Sequence, residues 1–229
     1  MKTWMREQVS RRFWTLGWPV IGPFVTRTFF SALVLRTENF TTVRWLGKPI
    51  LQNTLDLWTI QETIFDLKPA LIVETGTNRG GSSYFYAQLF DLMGTGGRIV
   101  TIDIARQHDL SHPRITYLIG DSTSPPIVES VGELARSCGG PILVILDSDH
   151  SEAHVARELE AYAGLVTPGS YVLVQDGSID TLGYFKSSRP GPLPAIDAFL
   201  ARHPEFAIDR AKCDRFLITH HPNGWLRRN

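Results

Sequence analysis

Between Ala70 and Gln175 the chain repeats one pattern: a short apolar run, a polar or glycine-bearing turn, then a segment with helical spacing. Ala70–Glu74, Arg98–Asp103, Ile115–Ile119, Pro141–Asp147 and Ser170–Gln175 read as strands. Leu55–Lys68, stopped by Pro69, reads as a helix, as do Gly81–Leu92, Glu152–Leu165 and Leu193–His203. In Gly81–Leu92 the inward face is expected to be Tyr84, Phe85, Leu89 and Leu92. Strands alternating with helices imply a parallel sheet covered on both faces. The unbroken run Ile142–Leu146 suits a strand buried from both sides. After His203 the rhythm changes. Phe206–Asp209 and Phe216–Thr219 are joined by a connector too short for a crossover, so an antiparallel hairpin is expected.

Five parallel strands closed by a hairpin is the strand plan of class I methyltransferases. The expected fold is therefore α/β and Rossmann-like, a mostly parallel seven-stranded sheet with a C-terminal antiparallel hairpin. Residues 1–54 are expected to form an N-terminal helical and aromatic arm, and residues 55–229 the methyltransferase domain.

Ligands of open α/β sheets bind beyond the carboxyl ends of the strands. The first such end reads Glu74-Thr75-Gly76-Thr77-Asn78-Arg79-Gly80-Gly81-Ser82. Gly76 permits a sharp turn, and Gly80 and Gly81 permit close approach of a ligand to backbone N–H groups. The spacing is G-x-x-x-G-G, so the dinucleotide fingerprint G-x-G-x-x-G is absent. Glu74 would repel a pyrophosphate but can pair with the ammonium of an amino-acid-bearing cofactor. Asp103 ends the second strand, where a carboxylate can accept both ribose hydroxyls, and Asp121 and Ser122 follow the third, beside an adenine. Thr77 and Ser82 complete the loop. Three such features on successive strand ends point to S-adenosylmethionine.

The fourth strand ends in Asp147-Ser148-Asp149-His150 and the fifth in Gln175-Asp176. Neighbouring strands lie about 5 Å apart, so Asp147, Gln175 and Asp176 should meet at one edge of the pocket. Two carboxylates and an amide oxygen are hard donors, suited to Mg²⁺ or Mn²⁺. A histidine such as His150, three residues after Asp147 on the strand-to-helix turn, is a residue type suited to general-base work at neutral pH. The bland alternatives are that Asp149 caps the following helix, that Asp147 meets the cofactor without metal, and that His150 is a capping or core residue. The run His150-Ser151-Glu152-Ala153-His154 does not have the H-E-x-x-H order of a zinc protease.

The residue types also exclude. Lys+Arg and Asp+Glu both number 23, giving zero net charge and no electrostatic footprint for nucleic acid. Cys138 and Cys213 form no C-x-x-C pair, so neither a disulfide framework nor a thiolate site is expected, and a cytoplasmic location follows. From Phe13 to Leu35 the chain is rich in Trp, Phe, Leu and Val but carries Pro19, Gly22, Pro23 and Arg27. These interruptions argue against stable membrane insertion and leave an arm touching a membrane or a greasy substrate as the alternative. The aromatic arm as a whole runs from Trp4 to Phe30. That apolar surface is expected to pack in at least a homodimer.

From Gly47 to Gly177, and on to Pro222-Asn223-Gly224, the chain resembles the cephalosporin hydroxylase/rhamnosyl O-methyltransferase family. The resemblance rests on Gly47-Lys48-Pro49, the Asp56 helix, Glu74-Thr75-Gly76, Gly80-Gly81-Ser82, Gly120-Asp121-Ser122, Leu146-Asp147-Ser148-Asp149-His150, Glu158-Leu159 with Tyr162, and Gly169-Ser170-Tyr171. It implies a Mg²⁺-dependent sugar O-methyltransferase that forms dimers or larger homo-oligomers. It also implies Asp147 as a metal ligand, His150 as base, and the pair after the fifth strand completing the metal site. That pair is usually Glu-Asp; here it is Gln175-Asp176, one negative charge fewer. The acceptor, a small molecule or oligosaccharide, is expected against Trp45, Lys48, Gln52, Asn53 and Tyr184, with the Thr181–Pro194 loop as a lid. A catechol or other phenol is the nearest alternative acceptor, and a binding protein without turnover the alternative from another class.

Overall fold

A computed structural model describes residues 2–229, with the backbone alone for residues 2–7, 9, 10 and 39. The side chain of Trp4, where the aromatic arm was expected to begin, lies outside the described residues. The chain divides into two compact units, one ending at Glu38 and one running from Asn39 to Asn229. Residues 39–54 thus belong with the larger unit, not with the arm.

The first unit is one helix, α1 (Lys2–Thr37), which continues through Pro19 and Pro23. The expectation that these residues break it is corrected. Each proline removes one rung of the hydrogen-bond ladder, and the turns on either side carry the helix on. The hydroxyls of Thr15 and Thr26 bond back to the carbonyls of Arg11 (2.8 Å) and Gly22 (2.9 Å). By length and composition, Arg11–Thr37 is long and apolar enough to cross a membrane. The stated ground for excluding membrane insertion therefore falls.

The second unit opens with α2 (Asn39–Thr42) and the short pair β1 (Arg44–Trp45) and β2 (Lys48–Pro49), then α3 (Thr54–Leu67). There follow β3 (Leu71–Thr75), α4 (Gly81–Met93), β4 (Arg98–Asp103), β5 (Ile115–Ile119), α5 (Pro125–Arg136), β6 (Ile142–Leu146) and α6 (Glu152–Tyr162). The chain closes with β7 (Tyr171–Val174), α7 (Ser178–Thr181), α8 (Pro192–Leu200), β8 (Phe206–Ile208), α9 (Arg210–Cys213) and β9 (Trp225–Arg228). The strands form a seven-stranded sheet in the order β5-β4-β3-β6-β7-β9-β8. The pairs from β5 to β7 are parallel, and β9 is antiparallel to both β7 and β8.

Alternate residues of each strand face alternate sides. Ile72, Leu143, Ile145 and Leu173 join Ile60 and Ile64 of α3 and Phe85, Tyr86 and Phe90 of α4 in one core. Val73, Val144, Leu146 and Val174 join Val131 of α5, Val155 and Leu159 of α6 and Phe199 of α8 in the other. Fully burying one such aliphatic side chain is worth about 1.5–3 kcal/mol. The sheet is thus held from both sides, which fixes the strand ends that carry the site.

Three details differ from expectation. On α4 the buried face is Phe85, Tyr86, Ala87 and Phe90, and Leu92 is exposed. Helix α5 was not anticipated, although Pro125 and Pro126 start it and Val131 and Ala135 anchor it. The second antiparallel strand is Trp225–Arg228, not Phe216–Thr219. Leu217 has a left-handed backbone (φ 67°) that a strand cannot use, and Trp225, 1% exposed, takes the interior position.

Candidate cofactor cleft and metal centre

Beyond the tips of β3, β4, β5 and β6 lies a cleft of about 430 Å³, lined among others by Gly76, Asp103, Asp121, Ser122, Asp147 and His154. Gly76 turns the chain out of β3 with φ 86°, and a Cβ there would lie 1.8 Å from the Asp147 carbonyl oxygen. The glycine therefore lets the β3 and β6 ends pass each other. Asp103 accepts the Asn78 N–H at 2.7 Å and the Ala105 N–H at 3.3 Å. Asp121 accepts both the N–H (2.8 Å) and the hydroxyl (2.9 Å) of Thr123, and these bonds lower its pKa. Ser122 is buried, donates to Glu158 at 2.5 Å and sits 3.1 Å from His154 Nε2. The Glu158 contact also raises the His154 pKa.

The rest of the glycine loop lies behind the cleft wall. Glu74 is fully buried, and Thr101 donates to its Oε2 at 2.6 Å. Burial raises its carboxyl to about 7, against the pull of hydrogen bonds from Ser82, Thr101 and Tyr86. Thr77 shares a 2.7 Å hydrogen bond with Thr101. Gly80 caps α4 in a left-handed conformation without a side-chain bond. Gly81 has no room for a Cβ because it would meet the Pro49 carbonyl at 2.0 Å. Close packing on the β2 segment, rather than approach of a ligand, is what demands a glycine there.

At the β6 and β7 ends, Asp147, His150 and Asp176 each offer a ligand atom within 4.8 Å of the others. His150 Nε2 lies 3.1 Å from Asp176 Oδ2 and 3.9 Å from Asp147 Oδ1. Asp176 has a left-handed backbone (φ 58°), uncommon for a residue with a side chain and frequent at functional sites. Burial would raise its carboxyl, but a hydrogen bond from His220 and the charges of His150, His221 and His220 outweigh this and take it to about 2. Asp147 goes the other way, pushed well above the usual carboxylate range by burial and by the charges of Asp176, Glu74 and Glu158. Asp149 accepts the Ser151 N–H at 2.8 Å in the turn before α6, whose N-cap is Ser151 and carries no side-chain capping bond.

Gln175 joins this group as a buried strut. Its Oε1 accepts from Gln52 Nε2 at 2.6 Å, and the same nitrogen donates to Asp147 Oδ2 at 2.9 Å. Gln52, expected to face an acceptor, is 2% exposed and ties Asp147 to Gln175. Asn53, 1% exposed, caps α3 by accepting the Leu55 N–H at 3.2 Å. The Trp45 ring packs edge-on against Phe85, 4.8 Å between centroids. Gln52 and Asn53 are thus taken up inside the fold as brace and cap, while Trp45 is partly buried. Lys48 is exposed and Tyr184 half-exposed beside Phe185.

Sequence reasoning missed the supports of Asp176. Its N–H donates to His221 Nδ1 at 3.1 Å, and its Oδ1 lies 3.6 Å from His220 Nδ1. Both histidines are buried. Asp56, on the first turn of α3, holds this segment by accepting the Thr219 hydroxyl (2.5 Å) and the His220 N–H (2.9 Å). The adjacent histidines at 220 and 221 were the available signal, hidden by the strand assigned to 216–219.

Residues 37–229 match the family described as Rhamnosyl O-methyltransferase/CmcI. The rhamnosyl O-methyltransferase of Mycobacterium tuberculosis (strain ATCC 25618 / H37Rv) is 32% identical over 197 residues, 83% of this chain and 80% of that one. Its namesake in Mycobacterium leprae (strain TN) is 32% identical over 194 residues, 82% of this chain and 84% of the relative. Among solved structures, CmcI with Mg and SAM superposes with a TM-score of 0.67 at 21% identity, covering 83% of this chain and 78% of that one. The CmcI apo-structure gives 0.66 at 22%, covering 83% and 77%. By the sequence matches the chain belongs to the rhamnosyl O-methyltransferase/CmcI family, and its fold is that of S-adenosylmethionine-dependent methyltransferases.

Proposed function

We propose that the protein moves a methyl group from S-adenosylmethionine to a hydroxyl of a sugar or glycan-type acceptor in the cytoplasm, with Mg²⁺ or Mn²⁺ beside the transfer site. The observation that carries this is the meeting of Asp147, His150 and Asp176 at the edge of a cleft that Asp103 and Asp121 also line. The donor set fits a hard dication. Two carboxylates stand close enough that one is pushed up by burial and by the other's charge, and their hard oxygens suit Mg²⁺ or Mn²⁺, whereas the His150 imidazole is a poor donor to Mg²⁺ and is left to act as the base. Asp147 and Asp176 would hold the ion, and a cation there would make a bound hydroxyl more acidic.

The chain's own residues do the rest. Asp103 would accept hydrogen bonds from the ribose hydroxyls of the cofactor, and Asp121 and Ser122 would border its adenine. His150 is oriented by Asp176 and takes the acceptor's proton as the oxygen–methyl bond forms and the sulfur–methyl bond breaks. S-adenosylhomocysteine leaves, and the imidazolium is left facing Asp176. The sugar acceptor is supported by the rhamnosyl relatives named above. A second reading, a cofactor-holding protein without turnover, draws on Gln175, which supplies no charge where the resemblance leads one to expect a glutamate. The test is transfer of labelled methyl from S-adenosylmethionine to a panel of sugars and phenols, with Mg²⁺ and with a chelator. Metal-dependent labelling of sugars is expected. Cofactor binding with no labelling of any acceptor would favour the second reading.

A further inference from the structure

The methyltransferase site makes no use of α1, yet α1 is the most apolar exposed surface among the described residues. Phe13, Leu16, Val20, Phe24, Phe29 and Leu35 are each more than half exposed, and only 11% of the helix's apolar window is buried. A surface that large is not left bare in water. We propose that α1 is a membrane anchor, its Arg11–Thr37 segment spanning a lipid bilayer with the methyltransferase unit outside it.

Four observations select a bilayer as the occupant. First, the 27 residues of Arg11–Thr37 rise about 40 Å as a helix, enough to cross a hydrocarbon core of about 30 Å. Second, the helix has no polar stripe. Val20 and Phe24 fall on one side and Phe29 on the other, so neither a groove on a protein nor the plane of a membrane surface would cover it. An in-plane helix needs one polar face. Third, the charges stand at the ends. Arg11 and Arg12 precede the apolar stretch, Arg36 follows it, and Trp14 and Trp18 lie near the first end, where tryptophan favours the lipid–water interface. Fourth, the backbone stays helical throughout, so apart from the rungs lost at Pro19 and Pro23 its polar groups pair within the segment, and the Thr15 and Thr26 hydroxyls bond to carbonyls within it. Arg27 is the single charge between Phe13 and Leu35 and works against insertion, so its removal should strengthen the anchor.

The test uses the full chain with vesicles of phosphatidylethanolamine and phosphatidylglycerol. It should float with the vesicles and resist extraction by alkaline carbonate. The double substitution Val20→Asp with Phe24→Asp should lower the floated fraction at least tenfold while S-adenosylmethionine binding is unchanged, since both residues lie outside the methyltransferase unit. Arg27→Leu should raise the carbonate-resistant fraction. If the double variant loses cofactor binding, Arg27→Leu decides alone, and no rise overturns the anchor. A full chain that stays with the aqueous fraction as a discrete dimer, split by the aspartates, would assign α1 to a second copy instead. Recovery from cells of a chain cut between Ser31 and Arg44 would make α1 a leader. Either result overturns the proposal, and neither bears on methyl transfer, which is read by the separate labelling assay.

Discussion

The two ends of the cleft are built in different ways. At the β3, β4 and β5 tips the wall is made of turns, and its carboxylates, Asp103 and Asp121, bond chiefly to backbone N–H groups, of Ala105 and Thr123 just after them and of Asn78 in the turn after the neighbouring β3. At the β6 and β7 tips the wall is made of side chains drawn from four distant segments: Gln52, Asp147 with His150, Gln175 with Asp176, and His220 with His221. The first end is a local consequence of strand endings. The second exists only when the whole domain is folded. The first should therefore tolerate loss of one group with a loss of affinity, whereas the second should fail in chemistry.

The sharpest break between them is His150→Ala. Removing the base should lower kcat by about 10²–10⁴ and leave cofactor affinity and Mg²⁺ affinity nearly unchanged, as calorimetry would read. If metal affinity collapses as well, His150 is a ligand rather than the base.

Glu74 belongs to the first end but is buried beneath it, and its contribution appears in stability. Its folded pKa is raised from 4.5 to about 7. Below pH 4.5 the group is neutral folded and unfolded, so no cost arises. As pH rises from there to about 7 the unfolded chain ionises first, and stability falls by about 3 kcal/mol. Glu74→Gln should flatten that decline in urea titrations run between pH 5 and 8. An unchanged slope would show that Glu74 is not the residue responsible.

Asp103→Ala should weaken S-adenosylmethionine binding by about 1–3 kcal/mol, the cost of truncating one partner of a buried hydrogen bond, with kcat at saturation little altered. Unchanged affinity removes Asp103 from the cofactor site.

Gln175→Glu should have the smallest effect and the opposite sign. It adds a charge beside Asp147 and Asp176, and Gln52 Nε2 remains placed to donate to it. The Mg²⁺ midpoint for activity should fall about tenfold, or 1.4 kcal/mol. A silent substitution would mean that residue 175 does not sense the ion.

The first end was legible in the sequence because it follows from local pattern. Apolar runs such as Ile142–Leu146 end at a polar residue, and each ending is a wall of the cleft. Asp147, His150 and Asp176 were legible too, because they sit at strand ends known to be neighbours. Their supports were not. Gln52, Asp56, His220 and His221 come from segments whose approach depends on where β9 lies, and β9 reads poorly. Trp225-Leu226-Arg227-Arg228 is short and half polar, yet it fills an interior position because Trp225 and Leu226 are buried and Arg227 and Arg228 reach outward. The same limit hid the helical character of α1. Two prolines read as stops, although each costs a single rung where the rest of the helix is sound.

The placement of β9 also imposes an order on assembly. β8 pairs with no other strand, and β9 lies between it and β7. In sequence, residues 206–208 precede the one strand partner they have among the described residues. The pairings from β5 to β7 involve neither β8 nor β9, whereas β8 joins the sheet only through residues 225–228. The segment bearing His220 and His221 is tethered at its far end only once β9 docks. The cleft at the β3, β4 and β5 tips thus needs nothing from β8 or β9, whereas the group around Asp176 is complete only with β9 in place.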